Sequence, residues 1–411
     1  MATGDLTVGN GVIKIVGGTL TKQYEESKLL YNRMAKGKGT KIGDRGVEIP
    51  TQLTANANGT FIKDGGDMPA GGSVVVKRAQ VFFKNFAAAM RLTGAAIDSI
   101  NSLDTAYIKD YLKFTMDETL SQAYKKANVY AWGNGSGRLA TISSGASSAT
   151  QTVSNNDANR YLTDGMLIDS VTTATGTVTA TGATILNHAA SSTTFTTVAA
   201  MSTTVTSDII VASGAYNLAF TGIKALIDDG TNSSVIFQGL SRTTYPTLKS
   251  TRINTSSVGL DISHLRRLLG SGIQIAKGEL DRDALEFWSH PAQTAAYSAL
   301  GWNLKRFEGT SKSVDLGFTA YEYEGINWVE DVDCDKAEVR AIDWSTMQKY
   351  VAKDFGWDEK SGSILKQVPS TTSGIAYTDQ FEAYLTARFN FGCTRPNVNG
   401  WVDALAVPQG F

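Results

Sequence analysis

Three histidines are the residues of this sequence best suited to acid–base chemistry or zinc binding. His188 lies in a tract rich in serine and threonine, His264 stands beside two arginines, and His290 precedes a proline. None has a carboxylate or cysteine at the spacing that a zinc site or a general acid–base pair requires. The histidines therefore predict neither a catalytic site nor a metal site.

Two further patterns imitate ligand sites. Asp331, Asp333 and Asp335 resemble the start of a calcium loop, but Lys336 and Ile342 stand where such a loop needs glycine and glutamate. This pattern predicts a solvated turn between strands. The glycine-rich run 133–137 follows a helix rather than a strand and lacks the Gly-Lys-Ser/Thr ending of a phosphate-binding loop. It predicts the end of that helix.

The remaining chemistry-bearing residues also suggest a protein without catalysis. Cys334 and Cys393 lie far apart and have neither metal-ligand spacing nor the pattern of a disulfide framework. We expect both to be small buried hydrophobic residues in a reducing environment. The sequence therefore predicts no enzyme, no catalytic residue and no cofactor.

Charge and hydropathy limit the kinds of partner that the chain is expected to bind. The 411 residues include 38 basic and 39 acidic side chains, a net charge of -1, which argues against strong nucleic-acid binding by the chain as a whole. Residues 36–45 are locally basic, a pattern typical of a solvated arm, with contact to an anionic partner as the alternative. The first residues lack the pattern of a signal peptide, and no run approaches the roughly 20 apolar residues of a membrane span.

The elements that would position any functional surface begin with an arm and a hairpin. Residues 1–44 predict an extended arm with a short helix at about 23–34. Strands are predicted over 45–53 and 73–86, separated by a polar, glycine-rich loop over 54–72. A structureless loop of this length is uncommon in a compact domain, and a lone two-stranded hairpin is marginal in water. We therefore expect the loop to rest on another subunit.

A long helix follows the hairpin. Asp104 is a good N-cap, and apolar residues recur at helical spacing as far as Ala131. At about 1.5 Å per residue the helix would be about 42 Å long, more than a small domain requires.

The composition changes after the helix. Residues 170–207 contain no lysine, arginine, aspartate or glutamate. Alternating patterns at 166–171, 177–181 and 208–211 predict strands. We interpret residues 141–250 as an inserted small β domain and keep a low-complexity stalk as the alternative.

The last part of the chain predicts a mixture of helices and strands. Helices are expected at 263–269 and 283–300, and strands near Ile273 and at 318–323, 327–329 and 337–342. Over 381–391 apolar and polar residues alternate strictly, which predicts a strand with one buried and one wet face.

The order of these elements resembles the major capsid proteins of tailed bacteriophages, with the Hong Kong 97-like fold. The stretch Tyr130–Leu139 is similar to the exit of the spine helix in these proteins. Residues 165–166, 208–210 and 221–228 are similar to an inserted β domain found in some members, and residues 384–390 and 395–397 to the strand that returns to the peripheral domain.

The resemblance implies an α+β fold with an inserted β-rich domain. The implied divisions are an N-terminal arm (1–44), an extended E-loop (45–90), a peripheral domain (91–140) with its spine helix at 104–131, the inserted domain (141–250), an axial domain (251–370) and a return to the peripheral domain (371–411).

The resemblance also implies a function. The chain would self-assemble as hexamers and pentamers into an icosahedral phage head around double-stranded DNA, which is held without sequence specificity. It would assemble in the host bacterial cytoplasm and reside in the virion, with no membrane. Implied partners are a separate scaffolding protein, a portal and a decoration protein. The residues expected to act in assembly are Phe61, Ile62, Lys63, Met68, Lys77, Arg78, Lys109, Lys113 and Arg388.

Three other hypotheses about the class of protein remain open. A β-rich decoration protein or adhesin would explain the Ser/Thr tract, but it leaves the long helix unexplained. An encapsulin-type compartment shell protein would share the fold, although the β insertion favours a phage. An enzyme with an unfamiliar site is disfavoured by the residue patterns above.

Overall fold

Strands dominate the part of the chain that the computed structural model describes, and helices are fewer. The described residues are 29–54, 59–95, 106–145, 147–154, 161–173, 175–189, 192–201, 204–231, 235–278, 282–305, 321–359, 364–370 and 375–410. The chain divides into two units. Unit 1 comprises Met1–Tyr31, Lys84–Asn128 and Val351–Phe389, and unit 2 comprises Asn32–Phe83, Val129–Tyr350 and Asn390–Phe411.

Unit 1 is built around an antiparallel pair of long strands. β5 (Lys84–Thr93) pairs with β21 (Tyr377–Cys393) from Lys84 opposite Phe389 to Thr93 opposite Gln380. A short strand, β20 (Lys366–Pro369), adds to β21. The strict alternation at 381–391 is thus confirmed as a strand, because Ala383, Leu385, Ala387 and Phe389 are all buried.

The long helix α2 runs over Ala106–Trp132, and its residues up to Asn128 belong to unit 1. The predicted helix is confirmed, while its proposed N-cap, Asp104, lies outside the described residues. α1 (Leu29–Arg33) confirms part of the predicted helix at 23–34, whose earlier residues also lie outside. The backbone N–H of Leu30 donates to the Asn128 side chain at 3.1 Å. Aromatic rings pack edge to face around Tyr31, at Tyr124, Phe355 and Phe389.

Unit 2 contains a closed six-stranded barrel. Its strands follow the order β10-β7-β6-β11-β8-β9, so each pairs on both sides. The side chains that fill it are apolar, among them Ile142, Ile168, Phe195 and Ile210. The strands predicted at 166–171, 177–181 and 208–211 are confirmed. The bounds are β6 Arg138–Ser144, β7 Thr150–Val153, β8 Leu167–Val171, β9 Val178–His188, β10 Thr194–Thr197 and β11 Ile209–Ala212.

A six-stranded mixed sheet forms another part of unit 2, in the order β14-β22-β18-β15-β17-β16. The pairs β14–β22 and β15–β17 are parallel, and the others are antiparallel. The bounds are β14 Thr251–Asn254, β15 Leu285–Ser289, β16 Tyr321–Tyr323, β17 Ile326–Glu330, β18 Val339–Asp343 and β22 Gly400–Asp403. The predicted strands at 327–329 and 337–342 are confirmed, and that at 318–323 is confirmed for its described end.

One prediction in this region is wrong in part, and another is wrong. The helix predicted at 283–300 is confirmed from Pro291 onwards by α6 (Pro291–Lys305), but Leu285–Ser289 form a strand, β15. β15 is central in its sheet and buried along its whole length, so it lacks the alternation that identifies a half-exposed strand. The strand predicted near Ile273 is a π-helical turn, Leu268–Ile273. Gly272 lies there against Thr251, where a Cβ would come within 2.4 Å of a methyl carbon.

The remaining elements of unit 2 are short. They are β1 Ala35–Lys36, α3 Ile223–Leu226, β12 Ile236–Phe237, β13 Leu240–Ser241, the 3-10 turns Pro246–Leu248 and Pro396–Val398, α4 Ile262–Arg267, which confirms most of the helix predicted at 263–269, and α5 Gln274–Lys277. Strand β19 (Met347–Trp357) has residues in both units. Within the described part of the chain, no helix combines the length and the apolar character needed to cross a membrane.

Candidate assembly surface

A three-stranded antiparallel sheet in unit 2 carries the surface of interest. It consists of β2 (Thr40–Ile42), β3 (Gly46–Thr54) and β4 (Val75–Phe82), with β3 in the centre. β3 and β4 pair from Gly46 opposite Phe82 to Thr54 opposite Val75. The two strands predicted at 45–53 and 73–86 are therefore confirmed as a hairpin, except that the second strand ends at Phe82.

One face of this hairpin is anchored in its own unit. Val47, Ile49, Ala79 and Val81 are buried against Tyr350, because alternate residues of each strand point to the same face. Burial raises the pKa of the Tyr350 hydroxyl to about 12.

Backbone hydrogen bonds fix the base of the hairpin as well. Gln80 N–H donates to the Gln238 carbonyl at 2.7 Å, and Phe83 N–H donates to the Arg45 carbonyl at 2.9 Å. Further out, the Thr247 hydroxyl donates to the Leu53 carbonyl at 2.9 Å. The base of the hairpin therefore has a defined position.

Beyond the base, the hairpin carries a segment with neither helix nor strand. We call residues 59–74 the tip. A turn within it is closed by Gly66 N–H, which donates to the Lys63 carbonyl at 2.9 Å, and Gly65 has a positive φ of 72°. Large apolar side chains of the tip and of the adjoining strand are exposed, with relative exposures of 105% for Phe61, 80% for Met68, 56% for Val76, 50% for Val74 and 46% for Ile62.

The exposed apolar side chains of the tip are not buried within the single subunit, so the subunit does not gain the free energy that their burial would provide. Burying one large apolar side chain stabilises a structure by about 1.5–3 kcal/mol. Contiguous apolar side chains on an exposed segment mark a site of protein–protein contact. The exposed apolar side chains of the tip are therefore available to an apolar surface of another molecule.

The predicted assembly residues of the hairpin lie together. Phe61, Ile62, Lys63 and Met68 are all exposed in the tip. Lys77 and Arg78 follow on β4 as exposed neighbours, and the Arg78 guanidinium donates to Glu48 at 3.0 Å.

The other three predicted residues lie in unit 1. Lys109 and Lys113 are on helix α2, and Arg388 is a half-buried residue of β21 opposite Asn85. Val74 and Val76 were missed by sequence reasoning, because they were taken as ordinary strand residues. Their signal was the unbroken apolar run from Val74 to Val76, which cannot alternate between a buried and a wet face.

The acidic run at 331–335 is used for packing. It lies between strands as predicted, but the prediction of a solvated turn is wrong, because Asp331 is buried and accepts a hydrogen bond from the Trp132 indole N–H at 2.8 Å. Lys224 pairs with Asp335 at 2.7 Å. Burial opposes the charged form of Asp335, but the charge and hydrogen bond of Lys224 outweigh it and hold the pKa of that carboxyl well below its ordinary value. Among the described residues, no group of three or more His, Cys, Asp or Glu residues could hold a metal ion.

Each histidine also has a local structural contact. His264 forms a capping box with Asp261 at the start of α4. His290 Nδ1 accepts the Ala292 N–H at 3.1 Å at the start of α6, and His188 Nδ1 lies 2.7 Å from an Asp164 oxygen.

The cysteines and the glycine-rich run also behave as predicted. Cys334 and Cys393 are free and buried, and burial raises the pKa of the Cys393 thiol to about 12. The glycine-rich run ends helix α2, and Gly135 and Gly137 have φ values of 92° and 82°.

Comparison with known proteins supports a fold rather than a sequence family. No family model matches the chain, and no curated protein matches its sequence significantly. The chain is similar in structure to a chain of the cyanophage A-1(L) capsid asymmetric unit, at 11% identity and a TM-score of 0.59, over 94% of this chain and 95% of that one. At this similarity over nearly the whole length, the two chains share one fold.

Two other solved structures are also similar to this chain. A chain of Gordonia phage Cozz matches at 11% identity and a TM-score of 0.48, over 97% of this chain and 94% of that one. A chain of the capsid of the native GTA particle matches at 9% identity and a TM-score of 0.47, over 95% and 94%. The fold assignment rests on the cyanophage structure alone: the chain has a mixed, mostly stranded fold that a phage capsid chain also has.

Proposed function

We propose that this protein is a major capsid protein that self-assembles as hexamers and pentamers into an icosahedral phage head around double-stranded DNA. The observation that carries the proposal is the fold shared with a chain of the cyanophage A-1(L) capsid, over 94% of this chain. A match over 94% of the chain extends well beyond any one of its parts, rather than covering one widespread domain.

The exposed tip supports the same proposal. Phe61 and Met68 gain no burial within one subunit, and a lattice of identical copies offers each tip a neighbour. Each contact can be modest, because a closed shell combines many of them.

The elements then take the roles they have in the Hong Kong 97-like fold. The hairpin and tip are the E-loop (45–90), helix α2 is the spine helix of the peripheral domain (91–140), and the barrel belongs to the inserted domain (141–250). The six-stranded sheet lies mainly in the axial domain (251–370), and β21 returns the chain to the peripheral domain (371–411).

The proposal includes partners. A separate scaffolding protein, a portal and a decoration protein complete the head, which assembles in the host bacterial cytoplasm. The packaged DNA is held without sequence specificity, and the subunit performs no catalysis.

Electron microscopy of the recombinant full-length protein tests the proposal. We expect closed shells, or hexamers and pentamers, in negative stain and a matching mass by light scattering. A preparation that contains only compact monomers or trimers, across protein concentration and salt, would overturn it and favour a decoration protein.

A further inference from the structure

We infer that the outer face of the barrel carries an apolar patch that contacts the same patch on a second copy of this chain in the assembled shell. The patch consists of Leu167 on β8, Thr184 and Leu186 on β9, and Val198, which follows β10. The inference rests on the proposed function and goes beyond it, because it adds a surface of contact between copies that is separate from the tip.

Strand pairing places the residues of the patch side by side. Leu167 lies opposite Thr184 in the register of β8 and β9, and Val198 N–H donates to the Thr184 carbonyl at 2.9 Å. Leu186 follows two residues after Thr184, and alternate residues of a strand share a face. Thr184 therefore has a large apolar neighbour on the chain at either side of β9 and another on β9 itself.

The three large apolar side chains of the patch point away from the barrel interior. Their relative exposures are 54% for Leu167, 61% for Leu186 and 65% for Val198. Each has a direct neighbour in the sequence that is at most 3% exposed, and these neighbours are Ile168, Ile185 and Thr197. Folding of the barrel thus buries one set and leaves the other exposed. Contiguous exposed apolar side chains mark a site of protein–protein contact.

The surroundings of the patch contain little charge. Residues 170–207, which include β9 and β10, contain no lysine, arginine, aspartate or glutamate. On β8, Asp169 is buried and accepts hydrogen bonds within the barrel. At the end of β9, the Asp164 side chain accepts the His188 backbone N–H at 3.1 Å, so this carboxylate has a partner in its own subunit.

This lack of charge favours a second copy of the chain as the occupant. When a surface meets its own copy across a two-fold axis, both sides present the same residues, so a charged side chain would lie close to its like. Like charges brought together at an interface cost free energy, whereas a different protein is usually recognised through complementary charge. The patch avoids the first effect and has no charge to provide the second.

The patch is too small to hold two free subunits together. Stable interfaces involve about 20–30 residues on each side, and the patch has a fraction of that number. In a closed shell, other contacts hold the subunits in place, so a small contact that is repeated in every copy adds to the stability of the whole. We therefore expect the contact in shells and not between free subunits.

The first test makes one substitution at two positions. Leu186→Asp introduces a charge into the patch, and Leu218→Asp, the control, introduces it outside the patch at a residue of nearly equal exposure, 60%. The protein concentration needed for shell formation, followed by light scattering, should rise about tenfold or more in Leu186→Asp and stay within about twofold of wild type in the control. Melting temperatures check that both variants fold. An equal rise in both variants, or no rise in Leu186→Asp, would overturn the inference.

The second test detects the contact directly and does not depend on the folding of Leu186→Asp. Shells of Thr184→Cys are treated with a short bis-maleimide cross-linker and separated on a denaturing gel. Shells of Leu218→Cys are the control, and wild-type shells give the background from the two native cysteines, which are buried. We expect covalent dimers from the Thr184→Cys shells alone.

The outcomes of the cross-linking separate the occupants. Only monomers from Thr184→Cys shells would overturn the inference. So would dimers that form only when Thr184→Cys is combined with Lys63→Cys, because that result would place the tip of a neighbour on the patch. If shells form without the expected cross-link, the inference alone fails. If wild-type shells never form, the proposed function fails and the inference fails with it.

Discussion

The barrel and the tip, both in unit 2, differ in backbone pairing: the barrel consists of paired strands, and the tip contains no strand. In the barrel each strand has a partner on both sides, and the interior is filled by side chains such as Phe195, which is 1% exposed. Polar groups are included: Asp169 accepts hydrogen bonds from Gly182 N–H, Gly214 N–H and the Ser213 hydroxyl at 2.7–2.8 Å. In the tip, Phe61 is fully exposed.

The difference separates two sources of stability. The barrel draws its stability from contacts within the same segment of chain, and closure removes the strand edges that would pair with other chains. The tip has large apolar groups without a core of its own, so its contribution to free energy depends on a second molecule. The same chain thus contains a region whose apolar side chains are buried on folding and a region whose apolar side chains, we propose, are buried on assembly.

The largest effect that separates the two regions is expected from deleting residues 56–70. The subunit should keep its melting temperature and the protease resistance of the barrel, because the base of the hairpin remains anchored. Shell formation should be lost, since each subunit loses the same contact and the losses add up over the lattice. Differential scanning fluorimetry and electron microscopy measure the two properties.

The matched control replaces residues 56–70 by a Gly-Ser sequence of equal length. Loss of shells in this control would show that the apolar side chains matter rather than the reach of the loop. Normal shells in the deletion variant would contradict the role given to the tip.

An intermediate effect is expected from the same substitution in each region. Phe195→Ala removes a buried ring and should cost about 3–5 kcal/mol, seen as faster hydrogen exchange across residues 138–212. Phe61→Ala should change the free energy of unfolding by less than about 0.5 kcal/mol. It should raise the protein concentration needed for assembly by tenfold or more, because about 1.5–3 kcal/mol of burial is lost at each contact.

An equal loss of folding stability in Phe61→Ala and Phe195→Ala would remove the distinction between the regions, since it would place the Phe61 ring in the core of its own subunit.

The smallest effect is expected at the base of the hairpin. Glu48→Gln removes the ion pair with Arg78, whose side chain is largely exposed. Such pairs contribute about 0.2–1 kcal/mol, and the contribution falls as salt rises. A thermal melt at low and high salt, with Arg78→Gln and the double variant completing a cycle, measures it. A coupling energy above about 2 kcal/mol would mean that the hairpin base depends on this pair more than on its apolar face.

Local sequence patterns predicted the helices and strands that have one buried and one exposed face. Apolar residues recur at helical spacing along helix α2, and β21 alternates over 381–391, so each shows its periodicity in the sequence. β15 was mistaken for part of a helix because both its faces are buried, so its polar residues Glu286 and Ser289 do not mark a wet face and no period of two appears. Closure of the barrel could not be predicted, because it depends on pairings such as Phe195 with His188 and Gln151 that no local pattern specifies.

The candidate site was predicted in part for a similar reason. The glycine-rich loop with isolated apolar residues predicted Phe61 and Met68 as assembly residues, because such residues have no local core. The close approach of Gly37 to Tyr350, where a Cβ would lie 2.5 Å from a ring carbon, was not predicted, because the two residues are distant in the chain.

The pairing of the barrel's first and last strands has a consequence for how such a chain is inherited and altered. β6 lies beside β11, with Ala140 opposite Ile210, so the chain leaves the rest of unit 2 and returns to it at almost the same place. A segment whose two ends meet can be gained, lost or exchanged by a single recombination event without moving the flanking residues apart. We therefore expect that residues 138–212 can be exchanged as one segment, because their first and last strands are neighbours.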